Sequence, residues 1–309
     1  MNSPASGAVQ VPVSPLEEKM GLTVTVVICT RNRPAFLEKC LEAIAALKPP
    51  PNEVLVVDNS AGNKETESIA RKFSARYTVE SIPGLSRARN RGMAESNTEV
   101  VAYLDDDATP DEHWLQFILA PFADPLVASV TGRTILPESA RCSPGHQPPR
   151  TFSSQDPQWF EMAAFGGTGS GNNMALRRSA CAGGAIFDVR LGRGAPLRIA
   201  EESHAFATLL SRGYRAVHVP DAIVVHADND GDIQERAASS VAYWLLLFSE
   251  FRSHRLDLLR FLFRRLRRKP LTWPRNPQAP GDIITSGWRV YWRAGIRGAM
   301  TFLHSRKLK

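Results

Sequence analysis

Three adjacent carboxylates, Asp105-Asp106-Asp107, close an apolar run, Val100–Leu104. Side by side they repel one another unless something positive sits among them. Hard oxygen ligands of this kind suit Mg²⁺ or Mn²⁺, and such an ion in turn neutralises a diphosphate. The alternative is a solvated acidic turn that starts a helix at Pro110, with Asp107 or Thr109 as the cap. A second acidic pair, Glu201-Glu202, opens a helical stretch. A carboxylate there either takes a proton from a reacting hydroxyl or simply favours a helix N-terminus. Thr30-Arg31-Asn32 and Asp58-Asn59-Ser60 follow two further apolar runs.

The elements that would position these residues alternate regularly. Val24–Thr30 and Glu53–Asp58 read as strands buried on both faces, and Pro34 opens a helix with Leu37, Cys40, Leu41 and Ile44 at helical spacing. A helix to about Arg76, a strand at Thr78–Ile82, a helix at Leu85–Ser96 and the Val100–Leu104 strand follow. This order predicts an α/β fold of parallel βαβ units, in which ligands gather at the carboxyl ends of strands. Pro137 to Gly171 is rich in Pro, Gly, Ser and Gln and predicts a long irregular, functional region. A helix near Ile199–Arg212, strands at Tyr214–Val219 and Ala222–His226, and one or two helices over 237–269 complete the reading.

Composition narrows the function classes. The 309 residues are 43% hydrophobic and 22% charged, which excludes a disordered tail protein and a disulfide-stapled mini-domain. Cys29, Cys40, Cys142 and Cys181 lack metal-type spacing and suit a reducing compartment. The net charge of +7 is unevenly divided: residues 250–309 hold 15 Lys or Arg against 3 Asp or Glu, leaving the rest at −5. Residues 1–21 read as a loose leader without signal-peptide character. The longest apolar candidate, Val241–Phe248, is too short to span a bilayer. No Gly-x-Gly-x-x-Gly follows the first strand and no P-loop is present, which weighs against dinucleotide and NTPase sites.

Taken in order, several motifs resemble the inverting glycosyltransferases of family 2. They are Thr30-Arg-Asn-Arg33, Val56-Val-Asp-Asn-Ser60, Gly84-Leu-Ser-Arg-Ala-Arg-Asn90, the Asp triplet and Gly171-Asn-Asn-Met-Ala-Leu-Arg-Arg178. Phe187–Gly192, Glu201-Glu202, Gly213-Tyr-Arg and Pro220–His226 continue the match, which covers roughly 24–226. The resemblance implies a GT-A (Rossmann-like), mostly parallel sheet flanked by helices, with a basic helical extension. It implies a domain over 22–230, with a nucleotide-binding half to about 135 and an acceptor half beyond, followed by a basic region at 231–309. It implies transfer from a nucleoside-diphosphate sugar, foremost a UDP-sugar, to a hydroxyl of a glycan or lipid-linked acceptor, as in polysaccharide or glycolipid assembly. Mg²⁺ or Mn²⁺ is the implied cofactor. By position, Thr30, Arg31, Asn32, Asp58, Arg89, Asn90, Asp105 and Asp106 would contact the donor. Asp105, Asp107 and His226 would hold the metal, and Asn173 and Trp159 would line the sugar or acceptor pocket. Glu202 is the expected base, with Glu201 in reserve. The family's usual pair is Glu-Asp, so Glu202 departs from it by about one methylene, roughly 1.5 Å. A catalytically silent relative and a nucleotidyltransferase are the alternatives, the latter lacking its Gly-rich first loop.

The turn Leu191–Pro196 is expected to close over donor or acceptor. In the basic region Leu256, Leu259, Leu262, Phe263 and Leu266 fall on one helical side, with Arg260, Arg264, Arg267 and Arg268 mostly on the other. With Trp273, Trp288 and Trp292 this pattern predicts either an anionic membrane surface as partner, on the cytoplasmic face, or a helix packed on the domain with a solvated basic side. No motif supports nucleic acid.

Overall fold

Nine strands form one sheet because their residues alternate between two apolar faces. The computed structural model describes residues 21–137, 147–181, 185–226, 233–267 and 296–306. Strands β1 (Val24–Thr30), β2 (Glu53–Asp58), β3 (Arg76–Val79) and β4 (Val100–Asp105) are joined by helices α1 (Pro34–Ala45), α2 (Lys64–Lys72) and α3 (Leu85–Glu95). On β1, Val24, Val26 and Ile28 point to a core shared with Leu37, Cys40, Leu41 and Ile44 of α1. Val27 points to the opposite core, shared with Ala88 and Met93 of α3. Burial on both faces accounts for the unbroken β-branched run.

After β4 come β5 (Ala108–Pro110), α4 (Trp114–Leu119), β6 (Val127–Ile135), β7 (Arg150–Phe152), α5 (Trp159–Ala164), β8 (Asn173–Arg177), α6 (Glu201–Ser211) and β9 (Arg215–His226). The sheet order is β3-β2-β1-β4-β8-β6-β9-β5, with β7 paired to β9. It is parallel from β3 to β4, but β8 runs antiparallel to both β4 and β6. The expected α/β class therefore holds, with a mixed rather than mostly parallel far half. The irregular stretch ends by entering the sheet as β8 instead of crossing over through a helix.

Two local expectations change. Pro110 lies in β5, and the next helix starts at Trp114, so the Asp triplet is not the cap of a helix. The two strands expected over 214–226 are one, β9, whose pairing with β6 jumps from Val219 to Ile223. Pro220 has no amide hydrogen to donate, and the ladder breaks there before resuming.

Helices α7 (Ile233–Glu250) and α8 (Arg255–Arg267) follow. Ala242, Tyr243, Leu246 and Leu247 of α7, with Leu258 of α8, join the core on the α3 side of the sheet. Arg190 is ion-paired with Asp188 and with Glu250, the last residue of α7, and so ties that helix to the turn before α6. No helix among the described residues is long and apolar enough to cross a membrane.

Candidate active site

Strand register sets the site. Cys29 on β1 lies opposite Asp105 on β4, and Thr30 opposite Asp58 on β2, so three polar strand ends align at one edge. The short strand β5 then turns back along β9, placing Ala108 opposite His226. This pairing brings His226, 118 residues beyond Ala108, to the Asp triplet.

The triplet is neutralised from three sides. Arg33 Nη2 lies 2.5 Å from both Asp106 Oδ1 and Asp107 Oδ2. Thr30 Oγ1 donates to Asp106 Oδ2 at 2.7 Å. His226 Nε2 stands 2.9 Å from Asp107 Oδ1 and 3.7 Å from Asp105 Oδ2. Burial pushes the Asp106 carboxyl up to about 6, against the pull of Thr30 and Arg33. Burial also opposes ionisation of Asp107, but the His226 hydrogen bond and the nearby charges outweigh it and hold that carboxyl below its usual range. The same bond holds His226 above its ordinary value. Ligand atoms of Asp105, Asp107 and His226 all lie within 4.8 Å of one another. A second such group, Asp188, His204 and Glu250, is filled by the Arg190 guanidinium.

Glu201 and Glu202 occupy the first turn of α6, entered through Ala200 at φ 66°. Arg89, 2% exposed on α3, donates to Glu201 Oε1 at 2.8 Å and to the Gly171 carbonyl at 3.0 Å, and reaches Asp105 Oδ1 at 3.4 Å. A Cβ on Gly171 would sit 2.9 Å from the Arg89 guanidinium, so a side chain there would have to displace it. Glu201 is thereby taken up by Arg89, and Glu202 lines the adjoining cleft. Burial first, then the Glu201 charge, pushes the Glu202 carboxyl up to about 8.

Two clefts meet at this edge. One, of about 190 Å³, is lined by Thr30, Arg31, Arg33, Asn59 and the Asp triplet. The other, of about 390 Å³, is lined by Arg89, Asn172, Arg198, Glu201, Glu202 and His226. Asp105, Leu85 and Arg193 belong to both. The Leu191–Pro196 turn is strapped to the start of α3: Leu85 N donates to the Arg193 carbonyl and Ser86 Oγ to that of Leu191, each at 2.8 Å. That leaves the Arg193 side chain exposed at the junction.

The structure thus gathers Thr30, Arg31, Arg89, Asp105, Asp106, Asp107, Glu201, Glu202 and His226 in one place. Other expected residues stand elsewhere. Asn32, at φ 55°, is exposed in the turn from β1 to α1. Asp58 is fully buried, accepting from Tyr77 OH at 2.7 Å and from the Ser60 and Asn63 amides; its neighbour Asn59 reaches the cleft instead. Asn90 clamps Phe187, donating to its carbonyl and accepting from its amide.

Asn173 and Trp159, expected at the sugar or acceptor pocket, line neither cleft. Asn173 is fully buried: it accepts from Trp114 Nε1 at 2.8 Å and donates to the Ala222 and Arg133 carbonyls. Asn172, in the turn just before β8, lines the larger cleft instead. Trp159 packs edge-on against Phe160 and His254 under α8. Replacing Asn173 by Ala leaves three buried groups unpaired and is expected to lower stability by about 3 kcal/mol, read from urea midpoints, with nucleotide affinity unchanged. Arg33, Asn172, Arg193 and Arg198 were not singled out from sequence. Arg33 closes the first motif, and Arg193 stands between two glycines, which is the only local signal either carries.

A Rossmann-like sheet whose parallel strand ends converge on an Asp-x-Asp and histidine cluster, beside two joined clefts, is the arrangement of the GT-A class. The Glycosyl transferase family 2 model matches residues 25–182, and the chain belongs to that family. Glycosyltransferase AglE of Haloferax volcanii is 37% identical over 101 residues, which are 30% of this chain and 33% of that one. An N-acetylglucosaminyltransferase of Rhizobium meliloti is 27% identical over 232 residues, 69% of this chain and 53% of that one. The chain thus spans between about a third and a half of these relatives. Among solved structures, S. aureus TarS 1–349 in complex with UDP-GlcNAc superimposes with a TM-score of 0.59 at 14% identity, over 88% of this chain and 79% of that one. Mannosyltransferase PcManGT from Pyrobaculum calidifontis, in complex with GDP-Man and Mn²⁺, gives 0.53 at 19% identity, over 93% and 76%. Both likenesses concern the fold.

Proposed function

We propose that this chain transfers a glycosyl group from a nucleoside-diphosphate sugar to an acceptor hydroxyl, with inversion at the anomeric carbon. The observation that carries the reading is that one cleft wall holds Asp105 and His226 together with Glu202, a carboxylate whose proton affinity is raised. The smaller cleft, with Thr30, Arg31 and Asn59, takes the nucleoside, and Asp105 and Asp106 orient the ribose and phosphates. Asp58 and Asn90 serve donor binding by fixing the turn before Asn59 and the Phe187 backbone. Arg193, exposed where the clefts join, faces the diphosphate. The acceptor enters the larger cleft past Asn172 and Arg198. Glu202 accepts the hydroxyl proton as the oxygen attacks the anomeric carbon from the face opposite the leaving diphosphate. Arg89 holds Glu201 in place and keeps a positive charge behind the reacting centre.

Two carboxylates and an imidazole within 4.8 Å of one another fit an oxygen-preferring divalent ion, Mn²⁺ or Mg²⁺. Asp105, Asp107 and His226 would hold it, and when bound it stabilises negative charge on the departing diphosphate. A UDP-sugar is the proposed donor and a glycan or lipid-linked hydroxyl the acceptor, on the cytoplasmic side.

Thermal unfolding against a panel of nucleotide sugars, with and without Mn²⁺, tests the assignment, since a true donor raises Tm by mass action. One donor is expected to stabilise strongly and only with Mn²⁺. Asp107→Ala is expected to weaken nucleoside-diphosphate binding in Mn²⁺ at least about tenfold, the scale of a lost ligand contact of about 1.4 kcal/mol. Equal affinity of the variant and parent would remove Asp107 from the metal set.

A further inference from the structure

Four residues of the expected apolar stripe of α8, Leu256, Leu259, Leu262 and Phe263, are exposed. Pattern alone allows them to pack inward with the arginines in solvent. The inward contacts are made by other residues: Leu258 is fully buried, Phe261 stacks on Phe165 at 4.2 Å, and Arg264 is ion-paired with Glu161 of α5. Arg255 is likewise turned in, donating to the Phe248 carbonyl at 2.9 Å. Leu256, Leu259 and Phe263 are left 66%, 46% and 56% exposed. At about 100° per residue these three and Arg260 share one side of the helix. Arg252 and Arg260 are exposed among them. Among the described residues Arg260 pairs with Asp257, 3.6 Å away and half-buried, a pairing too weak to remove its charge from the surface.

The described end of the chain repeats the pattern. In the helix at 296–305, Ile296, Met300 and Leu303 are exposed at helical spacing, with Arg297 and Arg306 beside them. Leu266, Arg267 and Arg268 of the expected stripe have side chains outside the described residues, as do Trp273, Trp288 and Trp292.

We propose that the outward side of α8, with the helix at 296–305, docks on an anionic bilayer surface. Leu256 and Leu259 would enter the boundary between headgroups and acyl chains while Arg252 and Arg260 meet lipid phosphates. Charge complementarity selects this occupant: 15 Lys or Arg against 3 Asp or Glu over 250–309 matches an anionic sheet of charge. Attachment is to the surface, because no described helix can span. The docking is independent of the transfer reaction and is tested without donor or acceptor.

The full chain is floated with phosphatidylglycerol–phosphatidylcholine vesicles and with phosphatidylcholine alone. It is expected to rise with the anionic vesicles only, and less at high salt. The double variant Leu256→Asp/Leu259→Asp is expected to cut the bound fraction about tenfold, with its thermal unfolding unchanged because both side chains are exposed. Arg252→Glu/Arg260→Glu, which spares the apolar residues, is expected to lose the preference for anionic lipid. Failure of the parent to float overturns the proposal, as does equal flotation of the Asp variant. A parent that elutes as a dimer and an Asp variant that elutes as a monomer would assign the face to a second copy of the chain instead.

Discussion

Glu202→Gln is expected to lower kcat about a thousandfold while leaving donor affinity unchanged. The amide keeps the size of the side chain and its place in the first turn of α6, but it has no basic oxygen for the acceptor proton. Glu201 cannot substitute, because its carboxylate is bonded to Arg89 at 2.8 Å. The parent should also show the base in its pH profile. Burial and the Glu201 charge raise the Glu202 carboxyl to about 8, and only the ionised form accepts a proton. Below that value the working form falls about tenfold per pH unit. Single-turnover rates are therefore expected to climb from pH 6 to pH 8 and then level, whereas a carboxylate with an ordinary pKa would give a flat profile there. A Gln variant retaining more than a tenth of parental turnover would move the proton acceptor elsewhere.

The strands and the acidic strand ends were legible because burial on both faces leaves a largely apolar run with charged residues only at its ends. β1, β2 and β4 are of this kind. β8 is short and reached through an irregular stretch, so neither its antiparallel direction nor its first residue could be read. Asn173 opens the strand and is buried, while Asn172 lines the larger cleft from the turn before it. A motif supplies two neighbouring asparagines but not which of them reaches the cleft. The long-range pairings were hidden for a similar reason. Arg33 among the aspartates, Arg89 against Glu201 and Ala108 opposite His226 depend on sheet register, which no local pattern encodes. The orientation of α8 was likewise undecided. Its apolar and basic stripes fit two opposite placements, and the choice rests on Phe165 and Glu161 about a hundred residues earlier in the chain.

Arg89→Met is expected to destabilise the fold by about 3–5 kcal/mol, the cost of leaving a buried charge without its partner. The guanidinium is the meeting point of Glu201, the Gly171 carbonyl and Asp105. Methionine fills a similar volume and makes none of these bonds, so a buried carboxylate and a carbonyl lose their donors together. At roughly 2–4 °C per kcal/mol for a domain of this size, Tm should fall by about 10 °C. A cycle separates this electrostatic loss from lost packing. If Glu201 is the group left uncompensated, Arg89→Met/Glu201→Leu removes both charges and is expected to recover most of the deficit, because a buried pair replaced by apolar residues is often close to neutral. Additive losses in the double variant would mean that Arg89 stabilises through Gly171 and packing alone. The same cycle bears on the reaction. The recovered double variant keeps Glu202 and the Asp–His cluster but has no positive charge behind them, so a stable fold with low turnover would identify Arg89 as a positioning residue for the site.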